Sequence, residues 1–287
     1  MQKYLKLLRV KHYIKNFLVF CPVFFSGRFF DGDTFRDCCL AFLTFCFLSS
    51  IIYIINDIHD LEKDKLHPEK CKRPLASGAV SHRQAHICVV ILSGIVVAFQ
   101  MCTQLLEWKT WGVLVLYFVI NIAYSIFGIK EYALVDVFIL AFGFVLRIMF
   151  GSACTGIGIS QWLYLVVFFG SLFMGFGKRR NELIQCQDMT RTVLSKYSEE
   201  YLGKCLSSCM TLSIVFYSFW CMERDQMYKD RYFLYTIPIF AFIMLRYFYD
   251  IELGEDGDPT SVILSDKILI ICVGGMVALF AILMYII

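Results

Sequence analysis

The chain has 287 residues, of which 59% are hydrophobic and only 18% are charged, whereas soluble globular chains average about 45–50% apolar and about 25% charged residues. This composition excludes one or two ordinary soluble domains and predicts an integral membrane protein. The net charge of +3 is too small to indicate nucleic acid as a partner.

Nine apolar runs follow one another along the chain, and most approach the roughly 20 residues that a helix needs to cross a bilayer. The runs are continuous rather than alternating, and a membrane-spanning backbone must satisfy its own hydrogen bonds. They therefore predict an all-α protein with about nine transmembrane helices. The runs lie near residues 16–28, 37–55, 85–103, 111–127, 133–155, 161–177, 200–221, 232–249 and 268–287.

The distribution of Lys and Arg predicts the orientation. The N-terminal stretch MQKYLKLLRVKHYIK is basic, and no small-residue cleavage site follows the first run, so it predicts a first membrane helix with a cytoplasmic N-terminus. The long charged connections 56–84 and 178–199, and the acidic connection 250–267, then all face the cytoplasm. We therefore expect a single polytopic domain, residues 1–287, with its chemistry on the cytoplasmic loops.

The 13 cysteines form no CxxC pair, and most lie inside apolar runs. They are predicted to be small buried side chains rather than disulfides or metal ligands. Three histidines in the first long connection lack a compact ligand spacing, which disfavours zinc.

The stretch NDIHDLEKDKLHPEKCKRPLASG, from Asn56 to Gly78, carries the clearest candidate site. If the second helix continues past Ile55, then Asp57, Asp60 and Asp64 fall at i, i+3 and i+7 on one helix face. Oxygen-rich clusters suit Mg²⁺, which usually binds through one or two carboxylates plus substrate phosphates. The alternative is a solvated helix end neutralised by nearby lysines.

The patterns NDxxDxxxD and KRPxxSG in this stretch resemble the first aspartate-rich motif of the UbiA superfamily of intramembrane prenyltransferases. The resemblance implies a helix bundle around a central cavity that opens to the cytoplasm and to lipid. It also implies transfer of a group from a magnesium-bound diphosphate.

A second acidic motif is typical of the aromatic prenyltransferases, but here the corresponding place is GFGKRRNELIQCQD. Together with KHYIKNFLVF, AYSIFGIKEYALVDVFILAFGFVLRIMFG and RYFLYTIPIFAFIMLRY, it is similar to one branch, the polyprenyl-phosphate phosphoribosyltransferases. That resemblance implies 5-phosphoribosyl 1-diphosphate as donor, a polyprenyl phosphate as acceptor, and a multi-pass protein of the bacterial inner membrane. The same resemblance is compatible with assembly of the chain into a homo-oligomer.

The resemblance implies roles for individual residues. The expected metal ligands are Asn56, Asp57, Asp60 and Asp64, and the expected catalytic residues are Asp57, Asp60, Arg73 and Lys130. The expected substrate contacts are Lys15, Asn16, Asn56, Arg73, Tyr124, Lys130, Arg147, Lys178, Arg179 and Glu182.

Several of these residues have structural alternatives. Lys15 is equally compatible with a snorkelling anchor, and Tyr124 with an interfacial aromatic belt. Arg147 lies within an apolar run, where a charge is costly and usually faces a cavity or a partner. Two other functions remain open: an aromatic or quinone-precursor prenyltransferase, and a transporter, although transporter sites usually lie near the membrane midplane.

Overall fold

The structure is a computed structural model that describes residues 2–68, 70–102, 108–185, 192–227, 232–253, 262 and 265–286. Within these ranges every regular element is helical, which confirms the predicted all-α class. The α-helices are α1 Gln2–Leu7, α2 Cys21–Phe25, α3 Gly32–His59, α4 Leu61–Leu66, α5 His82–Cys102, α6 Trp108–Ile126, α7 Val135–Thr155, α8 Gln161–Gln185, α9 Glu199–Met227, α10 Ile237–Glu252 and α11 Lys267–Tyr285. Short 3-10 helices occupy Val10–Phe20, Lys70–Lys72, Ile129–Glu131, Thr192–Lys196 and Phe233–Thr236.

Seven of the described helices are long and apolar enough to cross a membrane. They are α3, α5, α6, α7, α9, the segment Phe233–Glu252 that contains α10, and α11. Each overlaps one of the nine predicted runs. The protein is therefore a multi-pass membrane protein, whereas the count of nine spans and the cytoplasmic N-terminus stay predictions.

The two remaining predicted runs, 16–28 and 161–177, are not among these seven helices, and the local sequence explains why. Run 16–28 forms the end of a 3-10 helix and the five-residue α2, which begins around Pro22 and is followed by Gly27 at a φ of 76°. Run 161–177 lies inside the 25-residue α8, which continues into the three consecutive cations Lys178, Arg179 and Arg180. Charges at a helix end reduce its mean hydropathy without shortening the helix.

The described chain divides into two compact units. The first is Met1–Ile129 with Leu146–Gly158, and the second is Lys130–Val145 with Ile159–Ile287. In the first unit, α3 packs against α5, α6 and the N-terminal 3-10 helix. Phe45 of α3 lies at its centre, with ring centroids 4.4 Å from Tyr117 and 5.6 Å from Phe150.

The second unit has its core between α8, α9 and α10. Aromatic rings extend this core toward α11, since the ring of Trp220 lies 5.7 Å from both Phe233 and Phe280. The buried side chains of the three-helix core include Leu172, Phe173 and Phe176 of α8, Leu202 and Leu206 of α9, and Met244, Tyr247 and Ile251 of α10.

A close backbone approach in the first unit depends on Gly151. A Cβ atom at this position would lie 2.0 Å from the carbonyl oxygen of Val19. We therefore expect Gly151→Ala to lower the free energy of unfolding by about 3 kcal/mol, at the upper end for overpacking, since a backbone oxygen cannot rotate away. The thermal unfolding midpoint in detergent measures this effect.

Gly112→Ala is the matched control, because Gly112 lies in a membrane helix of the same unit and nothing is within 4 Å of its added Cβ. This variant is expected to be as stable as the wild type or slightly more stable. Equal midpoints for Gly151→Ala and Gly112→Ala would contradict the close approach.

Candidate active site

The N-terminal segment lies along one face of α3 in the first unit. The Ser50 hydroxyl donates to the carbonyl oxygen of Leu8 at 2.8 Å and lies 2.8 Å from the hydroxyl of Tyr13. Further along, Asn16 Nδ2 donates to Cys46 Sγ at 3.2 Å. These contacts fix the segment that precedes the first apolar run.

Arg9 joins this segment to the end of α3. Its backbone is left-handed, with φ 52° and ψ 45°, an uncommon conformation for a residue other than glycine. The guanidinium lies 4.6 Å from the ring centroid of Tyr53, and Nη2 is 2.5 Å from Asp57 Oδ1. Positions 46, 50, 53 and 57 recur at helical spacing, so one face of α3 makes all of these contacts.

The helix that carries the aspartates is interrupted at Asp60. α3 ends at His59, Asp60 has φ −89° and ψ 8°, and α4 begins at Leu61. The backbone N–H of Asp64 still donates to Asp60 O at 2.8 Å, so helical hydrogen bonding continues into α4. The single three-carboxylate face predicted from the sequence is therefore interrupted at Asp60, which is half-buried.

Two buried carboxylates and two arginines form a cluster beside this junction. Arg73 Nη1 lies 3.1 Å from Asp57 Oδ1 and 2.6 Å from Asp64 Oδ2. Arg9 Nη2 contacts the same Asp57 oxygen at 2.5 Å. The exposed fraction of the side chain is 3% for Asp57 and 4% for Asp64, but 28% for Arg73 and 19% for Arg9. We call Arg9, Asp57, Asp64 and Arg73 the carboxylate–arginine cluster.

The donor atoms beside this cluster suit a hard cation. Asn56 Oδ1 is buried and accepts no hydrogen bond from the described residues. Within the described ranges no three His, Cys, Asp or Glu side chains come together as a self-sufficient metal site. Mg²⁺ does not require one, because it commonly uses one or two carboxylates together with substrate phosphates. The residues present therefore fit a magnesium ion that arrives with a diphosphate.

The turn that follows Arg73 holds its guanidinium in the cluster. The N–H of Ser77 donates to Arg73 O at 2.9 Å, and the N–H of Val80 donates to Pro74 O at 2.9 Å. Gly78, at φ 74°, supplies the left-handed residue of this turn. The KRPxxSG pattern thus has a local structural reason, since it builds a compact turn behind a cationic side chain.

Arg147, a predicted substrate contact, is buried in the first unit and pairs there with polar side chains. Its Nε donates to Asn16 Oδ1 at 2.8 Å and its Nη2 donates to the hydroxyl of Tyr117 at 3.0 Å. Its guanidinium lies 5.1 Å from the ring centroid of Phe45. Asn16 and Arg147 are 1% and 6% exposed, so both side chains belong to the packed interior.

Three further predicted contacts are half-buried. Lys15 lies on the N-terminal 3-10 helix, and Tyr124 lies in the last turn of α6. Lys130 belongs to the short 3-10 helix Ile129–Glu131 and, by its contacts, to the second unit. Their assignment to substrate stays a prediction.

In the second unit, Arg179 is a buried ion-pair partner. Its Nε donates to Asp136 Oδ2 at 2.6 Å, and its Nη1 donates to Glu182 Oε2 at 2.5 Å. The side chains of Arg179 and Asp136 are 2% and 0% exposed. The guanidinium, predicted as a phosphate contact, thus pairs with two carboxylates, and one of them belongs to Glu182, another predicted substrate contact.

Tyr197 completes this buried network. Its hydroxyl donates to Asp136 Oδ1 at 2.9 Å and accepts the N–H of Leu134 at 2.5 Å. Leu134 has a left-handed backbone, φ 68°, which directs this N–H toward the phenol oxygen. Burial raises the pKa of Tyr197, so the phenol stays protonated and remains a donor to the carboxylate.

The neighbouring cations differ in their surroundings. Arg180 is 8% exposed and contacts Glu199 Oε1 at 2.9 Å and Glu252 Oε1 at 2.8 Å. Lys178 is half-buried, and none of its contacts within the described chain is an ion pair. Of the predicted KRR cluster, Lys178 is therefore the cation that makes no ion pair with the described residues.

Arg9, Asp136 and Tyr197 are members of these networks that the sequence analysis did not predict as site residues. Arg9 was counted only as part of a basic lead-in, and Tyr197 lies in a connection between apolar runs. No local spacing identifies either, because their partners Asp57 and Asp136 are 48 and 61 positions away.

The helices and the carboxylate–arginine cluster define a class: an all-helical, multi-pass membrane protein with a buried acidic site at the end of a membrane helix. The model of the UbiA prenyltransferase family matches residues 19–268. The chain therefore belongs to the UbiA prenyltransferase family.

Relatives support this membership. The decaprenyl-phosphate phosphoribosyltransferase of Corynebacterium glutamicum is 33% identical, over 92% of this chain and 81% of the relative. The protein of the same name from Mycolicibacterium smegmatis is 34% identical, over 92% of this chain and 87% of the relative.

Solved structures share the fold. A UbiA homologue from Archaeoglobus fulgidus bound to GPP and Mg²⁺ has a TM-score of 0.72 at 19% identity, covering 98% of this chain and 99% of that chain. At this level of identity the likeness concerns the fold alone.

Proposed function

We propose that the protein transfers the 5-phosphoribosyl group from 5-phosphoribosyl 1-diphosphate to a polyprenyl phosphate, with release of diphosphate. The observation that carries the proposal is the carboxylate–arginine cluster, which combines ligands for a metal with cations for phosphate oxygens. The similarity to the two phosphoribosyltransferases extends over 92% of the chain and supports this donor and acceptor.

The metal site is proposed on the residues of the α3–α4 junction. Asn56, Asp57 and Asp64 would hold Mg²⁺, with Asp60 as a further ligand at the turn. The bound ion would neutralise charge that develops on the departing diphosphate. Arg73 would contact diphosphate oxygens, because guanidinium groups bind phosphate in a bidentate manner.

Lys178 of the second unit is proposed as a phosphate contact. Arg179 and Glu182 are proposed to position the end of α8 rather than to touch substrate, since they pair with each other and with Asp136. Lys15, Tyr124 and Lys130 are proposed as additional substrate contacts. Asn16 and Arg147 would support the N-terminal segment from the interior.

The reaction requires little proton chemistry. A phosphate oxygen of the lipid would form the new bond to the anomeric carbon while the bond from that carbon to the diphosphate oxygen breaks. The bonding electrons leave with the diphosphate. Because a phosphate is already anionic near neutral pH, no strong general base is needed, and we expect inversion at the anomeric carbon.

The same residues define the proposed location. The chain would lie in the cell membrane of a bacterium, with the α3–α4 junction on the cytoplasmic side, where a soluble sugar diphosphate is accessible. The product would serve cell-envelope synthesis.

The experiment uses purified protein in detergent, a polyprenyl phosphate, and donor labelled in the ribose. We expect label to enter the lipid fraction only when Mg²⁺ is present. Failure of this transfer, with activity instead toward a prenyl diphosphate and an aromatic acceptor, would assign the chain to the aromatic prenyltransferases. Magnesium-independent transfer would contradict the metal site.

A further inference from the structure

We propose that Arg9 makes the site select a metal–diphosphate complex over the free metal ion. This inference rests on the proposed function and adds a residue that neither the aspartate-rich motif nor the basic α8 motif contains. Arg9 precedes the first apolar run, and its side chain contacts Asp57 across 48 positions.

The position of Arg9 is specified by several contacts. Its backbone adopts the left-handed conformation at φ 52°, and its guanidinium packs 4.6 Å from the Tyr53 ring centroid. The neighbouring Leu8 carbonyl accepts a hydrogen bond from Ser50 on the same face of α3. A surface arginine that pairs by chance needs neither an unusual backbone nor a ring beneath it.

The charges of the cluster explain the selectivity. Asp57 and Asp64 carry two negative charges, which the two positive charges of Arg9 and Arg73 offset, while Asp60 adds one negative charge whether or not Arg9 is present. Carboxylates whose charge is offset in this way attract a free divalent cation more weakly than bare carboxylates do. A magnesium diphosphate would bind more tightly than the free ion, because the carboxylates bind its metal while the partly exposed guanidiniums bind its phosphate oxygens.

Removal of one guanidinium should raise the affinity for a free divalent cation and lower the affinity for a metal–diphosphate complex. Without Arg9 the remaining three side chains have a net charge of −1, which favours a free cation and disfavours an anionic complex. Arg9→Gln keeps a polar side chain of similar length. We expect it to bind free Mn²⁺ about tenfold more tightly and magnesium pyrophosphate about tenfold more weakly than the wild type.

The test measures both affinities for the full chain in detergent, without turnover. Mn²⁺ binding is followed by the loss of the free-ion electron paramagnetic resonance signal, and magnesium pyrophosphate binding by calorimetry. Lys11→Gln is the matched control, because Lys11 is an exposed cation two residues away, and both affinities should stay at the wild-type values. Wild-type affinities in Arg9→Gln, or a change of both in the same direction, would overturn the inference in favour of a packing role.

A second variant keeps the test decisive if Arg9→Gln does not fold. Arg9→Lys retains the charge but not the planar pair of donors. It should bind free Mn²⁺ like the wild type and magnesium pyrophosphate about threefold more weakly. Tighter Mn²⁺ binding by Arg9→Lys would contradict the charge argument.

Asp57→Asn separates this inference from the proposed function. If the wild type binds magnesium pyrophosphate and Asp57→Asn does not, the metal site stands, and the Arg9 variants alone decide the inference. If wild type and Asp57→Asn bind equally, the proposed metal site itself fails.

Discussion

Asp57→Asn is expected to lower magnesium-dependent phosphoribosyl transfer by about 1,000-fold, because it removes the most central charge of the site. The Asp57 side chain is 3% exposed and pairs with both arginines of the cluster. An amide there neither neutralises the guanidiniums nor binds Mg²⁺ as strongly. Initial rates at saturating donor and varied Mg²⁺ measure the loss.

Glu62→Gln provides the control for this prediction. Glu62 lies in α4, between the same aspartates, but its side chain is 81% exposed and pairs only with nearby Lys65 among the contacts described. An exposed pair of this kind contributes little, so activity should stay within about twofold of the wild type. Equal losses in Asp57→Asn and Glu62→Gln would show that the reaction depends on the overall negative charge of this segment and not on the position of the Asp57 carboxylate.

Substitutions of two adjacent cations of α8 are expected to have different effects, one on stability and the other on substrate binding. Arg179→Met should lower the free energy of unfolding by about 3–5 kcal/mol, because it leaves the buried Asp136 carboxylate without its cationic partner. Lys178→Met should leave the unfolding midpoint unchanged and reduce transfer through weaker binding of a phosphate. The measurements are the thermal midpoint in detergent and the KM for donor and acceptor.

A double variant distinguishes pairing from general damage to α8. Asp136→Asn combined with Arg179→Met removes both charges, so the double variant should be more stable than the sum of the single losses predicts. Additive losses would mean that the two side chains do not act as a pair. If Arg179→Met were as stable as the wild type but had a raised KM for donor or acceptor, Arg179 would be a substrate contact rather than a structural ion-pair partner.

The sequence by itself determined the class of fold and predicted which stretch of the chain holds the candidate metal site. Long apolar runs must fold as helices in lipid, since each backbone polar group needs a partner within its own segment. The spacing of Asp57 and Asp64 predicted a candidate site because helical periodicity is local and Asp64 follows Asp57 within two turns. The turn around Pro74 and Gly78 is equally local, and Arg73, which precedes it, contacts both carboxylates.

Only the tertiary structure decided which charges neutralise one another. The sequence presents Lys178, Arg179 and Arg180 as equivalent cations, but carboxylates from distant segments pair with the two arginines, and Lys178 stays apart from them among the described contacts. Arg9 joined the site for the same reason, through a partner 48 positions away. Helical periodicity specifies faces within one segment, whereas the pairing of buried charges depends on how separate segments pack.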